Sequence, residues 1–275
     1  MILSNLRTLL FLPADRPDRL EKAAASPAGG VILDLEDGVA PAAKDAARAG
    51  LAGAVSLLRA LGRPVVVRVN AGAGLSRDIA AMAPCWPDAL MLPKTERPED
   101  LATLAGFLAA APTALRRIFL LESPAGVLNA ATLAALAQEG DALAFGSEDY
   151  AAALSVPPGR EELDFPARQV ALAARAHGLA AFGVIGSIAG IADQDLFARS
   201  CLAARGAGFT GALTIHPAQV ATANAAFGPA GPEIEWAIAV IEDAALGGEG
   251  AIRGRDGRMI DRPVLERARA ILARR

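Results

Sequence analysis

The stretch Val31-Ile-Leu-Asp34-Leu-Glu36-Asp37 runs from a short apolar segment straight into a cluster of carboxylates, and it is one of five such stretches in the chain. The others are Val65-Val-Val-Arg68-Val-Asn70, Ala89-Leu-Met-Leu-Pro-Lys94, Ile118-Phe-Leu-Leu-Glu122 and Ala142-Leu-Ala-Phe-Gly-Ser-Glu148-Asp149. An apolar run of about five residues is the length of a strand buried on both faces. A charge at the end of such a strand cannot stay unpaired in the core. Parallel strands closed into a barrel aim their terminal charges at one point, the active-site mouth.

Outward from these runs, apolar segments alternate with alanine-rich helical ones. The pattern predicts strands over 7–12, 31–35, 65–69, 89–92, 117–121, 142–145, 180–185 and 211–215. It predicts helices near 17–25, 42–61, 76–83, 98–111, 126–138, 166–177 and 193–207. Eight βα repeats predict a TIM (β/α)8 barrel rather than an open doubly wound sheet, which needs fewer. Pro17, Pro98 and Pro166 stand where a first helical turn would begin. Gly178 and Gly206 follow helical stretches, as left-handed caps do. The barrel is expected to occupy 1–218 as the catalytic domain. Residues 219–275 are expected to form a lid extension on the barrel or on a neighbouring subunit. That extension reads as a helix near 232–245, a small hairpin over 252–260 turning at Asp256-Gly257, and a helix over 263–273.

The 275 residues are ample for one large barrel. Net charge is −3, from 27 basic and 30 acidic residues, and nothing resembles a nucleic-acid footprint. Mean hydropathy is +0.35, raised by alanine rather than by a membrane span. The uncharged stretch 101–115 is broken by Pro112 and too short to cross a bilayer. Arg7 interrupts the N-terminus before any long apolar stretch, so no secretory leader is expected. Cys85 and Cys201 lack metal-site or disulfide-scaffold spacing, and a cytoplasmic setting is the default.

Glu122 and Asp149 come at the ends of the fifth and sixth predicted strands. Neighbouring strands lie about 4.8 Å apart, so the two carboxylates can share one hard divalent ion. Oxygen ligands without clustered His or Cys favour Mg2+ or Mn2+ over zinc. The alternative is a pair of helix-capping or ion-paired acids. Asp34, Glu36 and Asp37 crowd the second strand end, as ligands, as groups that orient metal-bound water, or as a cap for the helix near Pro41. Arg68 suits bidentate capture of a substrate carboxylate, or an internal salt bridge to Glu36 or Asp37. Gly146 and Ser147 offer backbone N–H groups for a carboxylate or oxyanion beside a helix start. Lys94 is a candidate Schiff-base lysine, but a surface ion pair with Glu96 or Glu99 is the better reading. His177 reads as structural, and His216 closes the eighth strand. Gly206-Ala-Gly208-Phe-Thr-Gly211 fits the dinucleotide pattern in the wrong context, since it leaves a helix and enters a strand.

Seven segments in order resemble one known family: 7–19, 31–39, 68–70, 121–129, 145–150, 214–220 and 257–263. They are similar to the citrate lyase beta-subunit-like proteins, relatives of malyl-CoA and citramalyl-CoA lyases in the HpcH/HpaI aldolase superfamily. The resemblance implies a TIM barrel, Mg2+, and carbon–carbon lyase or Claisen-type chemistry on an acyl-CoA thioester, with a keto acid as partner. It implies metal ligation by Glu122 and Asp149, carboxylate binding by Arg68, Glu36 and Asp37 around the metal waters, and acid/base work by Asp261 in the lid. It also implies a homo-oligomer, a trimer or a multiple of one. The rival readings are a metal-dependent aldolase on free keto acids and a non-catalytic keto-acid-binding barrel. This chain departs from the family pattern at Ala14, where glycine is usual, in the loop after Asp149, and over 182–190, which carries no acid before Asp193.

Overall fold

In the computed structural model, which describes residues 3–247 and 250–274, eight parallel strands form one sheet. They are β1 (Thr8–Pro13), β2 (Gly30–Asp34), β3 (Val65–Arg68), β4 (Ala89–Leu92), β5 (Arg116–Leu121), β6 (Ala142–Phe145), β7 (Ala180–Phe182) and β8 (Ala212–Thr214). Each pairs with the next in chain order, β8 returns to β1, and the bridge Phe182–Gly211 joins the two remaining edges. The chain is a TIM barrel, as the alternation predicts.

Strand pleating divides the core into two layers. Ile32, Val66, Met91, Ile118, Leu120 and Leu213 fill the barrel interior. Val31, Leu33, Val65, Val67, Phe119 and Leu143 face the surrounding helices. Inside, Ala142, Ala144 and Ala180 alternate with the bulky Phe182, so small residues on β6 and β7 make room for a ring. Each large apolar side chain buried this way contributes about 1.5–3 kcal/mol.

The helices of the barrel are α1 (Leu20–Ala25), α2 (Lys44–Ala60), α3 (Leu75–Met82), α4 (Pro98–Phe107), α5 (Pro124–Leu128), α6 (Ala130–Leu136), α7 (Ser147–Leu154), α8 (Arg160–Ala176), α9 (Gln194–Ala207) and α10 (Pro217–Phe227). Some differ from expectation. The single helix predicted over 126–138 is two, broken at Asn129, whose side chain donates to the Glu96 carbonyl. Helix α8 starts at Arg160, well before Pro166, because Glu161 and Glu162 complement its N-terminal dipole. Pro166 then sits inside it, costing one backbone hydrogen bond. Strand β7 stops at Phe182, short of the predicted 185, and the Gly183 N–H makes the last bond to the neighbouring strand edge, to the Gly211 carbonyl at 3.0 Å. Helix α10 is not among the predicted elements.

Two compact units emerge, Met1–Phe227 and Gly228–Arg275. The division follows α10, which packs on α9, β1 and β8, rather than falling at 218 as the sequence suggested. The second unit holds α11 (Gly231–Gly247), a hairpin of β9 (Ile252–Arg253) and β10 (Met259–Ile260), and α12 (Arg262–Ala273). Ala237, Val240, Ile260 and Ala268 form its core, and the Arg267 guanidinium lies 4.6 Å over the Trp236 ring. Among the described residues no helix is long and apolar enough to cross a membrane.

Candidate active site

At the C-terminal end of the strands lies a pocket of about 380 Å3. Its polar lining includes Asp34, Asp37, Arg68, Glu122, Ser147 and Asp149. The apolar strand runs thus do bring their terminal charges to one place.

Asp34 and Arg68 are register partners at the ends of β2 and β3. Their side chains meet in a fork, Arg68 Nε donating to Asp34 Oδ1 at 2.7 Å and Nη2 to Oδ2 at 2.6 Å. The same carboxylate accepts the N–H groups of Glu36 and Gly38, each at 2.9 Å, and so folds the 34–38 loop. Arg68 Nη1 lies 2.9 Å from Glu36 Oε2, an ion pair off the hydrogen-bond direction that leaves this buried oxygen without an aligned donor. The guanidinium also lies 4.8 Å over the Phe11 ring. Burial works against its charge, but Asp34 and Glu36 outweigh that and hold its pKa above the ordinary arginine value. The salt bridge expected to Glu36 or Asp37 is therefore made to Glu36 and, above all, to Asp34. Asp34, not singled out by the sequence as a partner of Arg68, is its main one. Its signal was its place at the end of a run adjacent to that of Arg68.

Glu122 follows β5 directly and is 4% exposed. Its Oε1 accepts the Lys94 N–H at 2.7 Å. Burial first, and the like charge of Asp149 second, push its carboxyl up to about 8, while the Lys94 N–H and Arg68 pull the other way. Lys94 itself has φ +52°, a strained backbone for a residue with a side chain. Its Nζ lies 2.6 Å from Glu36 Oε1 and 3.4 Å from the exposed Asp37 carboxylate. Lys94 therefore pairs across the barrel mouth, and not with Glu96 or Glu99. Glu96 instead accepts from the Ser123 hydroxyl at 2.6 Å.

Asp149 does not end a strand. It lies exposed in the first turn of α7 beside Glu148, where the N-terminal dipole favours acids. Gly146 is also corrected. Its N–H donates to the Leu121 carbonyl, so it is spent in the backbone and cannot hold a substrate. What Gly146 supplies is space, since a Cβ there would lie 2.6 Å from Glu122 Cβ and 2.8 Å from its Oε2. Ser147, buried at the start of α7, keeps its place in the pocket lining.

Two further networks escaped the sequence. Asn70 donates from its backbone and its side chain to Asp78, at 2.6 and 2.8 Å, and Arg48 Nε donates to the same fully buried carboxylate at 2.6 Å. That knot fixes the loop after β3. Glu148 receives the Ser187 hydroxyl at 2.5 Å and the Ile188 N–H at 2.9 Å, tying down the loop after β7. Asp261 belongs to the second unit. There it caps α12, its Oδ1 accepting the Val264 N–H at 3.2 Å.

An eight-stranded barrel with acids and an arginine at its C-terminal mouth is the frame of a barrel enzyme. The chain belongs to the HpcH/HpaI aldolase/citrate lyase family, whose model matches residues 7–217. It is 34% identical to the citrate lyase subunit beta-like protein of Deinococcus radiodurans, covering 98% of this chain and 96% of that one. It is also 34% identical to a (3S)-malyl-CoA thioesterase of Cereibacter sphaeroides, covering 98% of this chain and 94% of the relative. Among solved structures it resembles the CitE protein of Mycobacterium tuberculosis in complex with magnesium, acetoacetate and coenzyme A. The TM-score is 0.77 and the identity 31%, covering 99% of each chain.

Proposed function

We propose that this protein is a Mg2+-dependent carbon–carbon lyase. It would cleave or form a 3-hydroxyacyl thioester of the malyl-, citramalyl- or citryl-CoA type, giving a keto acid and acetyl-CoA. The observation that carries this reading is the buried Glu122 carboxyl, whose charge is disfavoured by burial and by nearby Asp149, in the pocket that Asp149 and Arg68 also line. Carboxylates outnumber cations at this mouth, and Arg68 and Lys94 are already committed to Asp34, Glu36 and Asp37. A hard divalent cation is the partner such an oxygen-only set fits, and Mn2+ would fit as well.

Glu122 and Asp149 would hold the cation, with Glu36 and Asp37 near its waters. A cation bound there supplies Lewis-acid polarisation of the keto-acid oxygens and a template for the substrate. The Asp34 fork fixes the Arg68 plane, so the N–H groups it keeps free present one orientation to the substrate carboxylate. The Lys94 N–H holds Glu122 in its rotamer. Ser147 lines the same space at the N-terminus of α7, where the dipole favours an anion. In cleavage the hydroxyl proton leaves to water and the alcohol carbon becomes a carbonyl. The broken C–C bond leaves its electron pair on the thioester enolate, and Asp261 returns a proton to that carbon. In condensation Asp261 takes the proton from the acetyl methyl group.

A second hollow of about 450 Å3 shares Phe11, Pro13 and Ile215 with the first and carries Arg19 and Lys22. Its two cations suit the phosphates of a coenzyme A arm. The same reading makes the protein cytoplasmic and a homo-oligomer, a trimer or a multiple of one.

The test is a panel of malyl-, citramalyl- and citryl-thioesters with and without Mg2+, following the keto acid released. Mg2+-dependent keto-acid release supports the reading. Release of free coenzyme A without a keto acid would make the protein a thioesterase. Cleavage only of free hydroxy acids would make it an aldolase. Keto-acid binding with no cleavage of any substrate would make it a binding barrel.

A further inference from the structure

We infer that the outward face of helix α8 is a two-fold contact between copies of this chain, each α8 packing antiparallel on its counterpart. The inference goes beyond the lyase reading and does not rest on it; it supplies a homo-oligomer with a face and a symmetry. Helix α8 buries Leu163, Ala167, Val170, Ala171 and Ala174 in the outer layer of the barrel core. On its other side Phe165 and Leu172 stand 75% and 71% exposed. They are seven residues apart, and such residues fall within about 20° of each other around a helix. Single exposed apolar side chains are ordinary, but two large ones aligned on one stripe mark a surface that a partner covers. Helices α5 and α9 pack on α8 and add the exposed Leu128 and Leu202.

The charges name the occupant. A two-fold contact joins one surface to itself, so that surface must be its own complement. Behind Arg160, the acids Glu161, Glu162 and Asp164 come first in α8, and Arg168 and Arg175 come later. An antiparallel second copy sets the acidic half of one helix on the basic half of the other. With the axis at the Arg168–Gln169 midpoint, Phe165 faces Leu172 of the second copy, and Glu162 faces its Arg175. Glu162 and Arg175 are both exposed, and neither makes an ion pair among the described residues. Arg168, next to the axis, is neutralised in its own helix by Asp164 at 2.6 Å, so two copies of it meet without net repulsion.

A parallel arrangement would lay acid on acid and arginine on arginine, and like charges set against each other reject it. The antiparallel one also opposes the two helix dipoles head to tail. Helix α8 has 17 residues, a length of about 25 Å, so the apolar pairs and the charge pairs fit along one crossing. Removing Phe165 and Leu172 of both copies from water supplies the affinity. The outer charges fix direction and register.

The experiment measures the mass of the full chain by sedimentation equilibrium across a micromolar dilution series, with thermal melts to check folding. The wild type should assemble with an even number of copies. Leu172→Asp alters the contact twice in each two-fold pair and should weaken it by about 100-fold, halving the mass while the melt is kept. Arg175→Glu sets acid on acid and should weaken it by about threefold to tenfold. Adding Glu162→Arg to Arg175→Glu makes the charges opposite again and should restore the mass. Should Leu172→Asp fail to fold, Arg175→Glu, at an exposed position, takes its place. A monomeric or odd-numbered wild type overturns the inference, leaves the lyase reading standing and gives the face to another partner. Assembly untouched by Leu172→Asp overturns it as well, and so does a double charge exchange that recovers nothing. The expected assembly with no thioester cleaved defeats the lyase reading alone and keeps the two-fold contact.

Discussion

Arg68 and Asp34 sit opposite each other in the β2–β3 register and close a two-point fork at 2.7 and 2.6 Å. The arginine proposed to orient the substrate is therefore itself oriented by a buried acid. Asp34→Ala removes both contacts and leaves a buried guanidinium short of partners. Breaking a buried pair this way should cost about 3–5 kcal/mol, read by urea denaturation. Asp34→Asn keeps the shape and should instead raise KM for the keto acid while the fold persists. A wild-type KM in Asp34→Asn would take orientation of Arg68 out of the mechanism.

Glu122 makes stability depend on pH in a definite direction. Its folded carboxyl titrates at about 8 against an ordinary value of 4.5. Between those limits the folded chain keeps a proton that the unfolded chain has released. Stability from this group is full below about 4.5 and is lost as pH rises through about 8. The metal-free protein should lose melting temperature over that window. Added Mg2+ should restore it most at the alkaline end, where the carboxylate is free to bind. Glu122→Gln should flatten both effects, and thermal melts across the pH range with and without Mg2+ decide the matter.

Gly146 leaves the gap that Glu122 occupies. Gly146→Ala drives a methyl to 2.6 Å from Glu122 Cβ, and overpacking of this kind costs about 1–3 kcal/mol. The carboxylate must shift, so Mg2+ affinity should fall together with the melting temperature. A variant that is destabilised but binds Mg2+ as well as wild type would show that Glu122 is not a ligand.

Asp261 allows fold and chemistry to be separated. Asparagine caps a helix about as well as aspartate, so Asp261→Asn should leave α12 and the melting curve nearly unchanged. If Asp261 moves the proton at the enolate carbon, turnover should fall by about 10²–10⁴ with Mg2+ affinity kept. Unchanged turnover would reduce Asp261 to a cap.

The barrel was legible because its strands are continuous apolar runs and its helices are alanine-rich. Burial on both faces writes that pattern into any βαβ chain. Element ends were less legible where local signals compete. Pro166 reads as a helix start, yet the acids at 161 and 162 begin the helix earlier. Glu122, Arg68, Glu36 and Asp149 stood out as charges following apolar runs, and the pocket gathers them or their neighbours. Partners were illegible wherever pairing is set by register. Lys94 is expected from the sequence to pair with Glu96 or Glu99, two and five residues away, but the barrel brings it to Glu36, on the far side of β3.

The sequence by itself determined the strand count, the parallel closure and the chemical character of the mouth, because burial and charge are properties of each short run alone. Only the tertiary structure decided that Asp34 grips Arg68, that Gly146 clears room for Glu122, and that Glu148 ties down Ile188 in the loop after β7. Those choices depend on which strand and loop ends face one another at hydrogen-bond distance, and such neighbours, 24 to 40 residues apart along the chain, are set by three-dimensional closure.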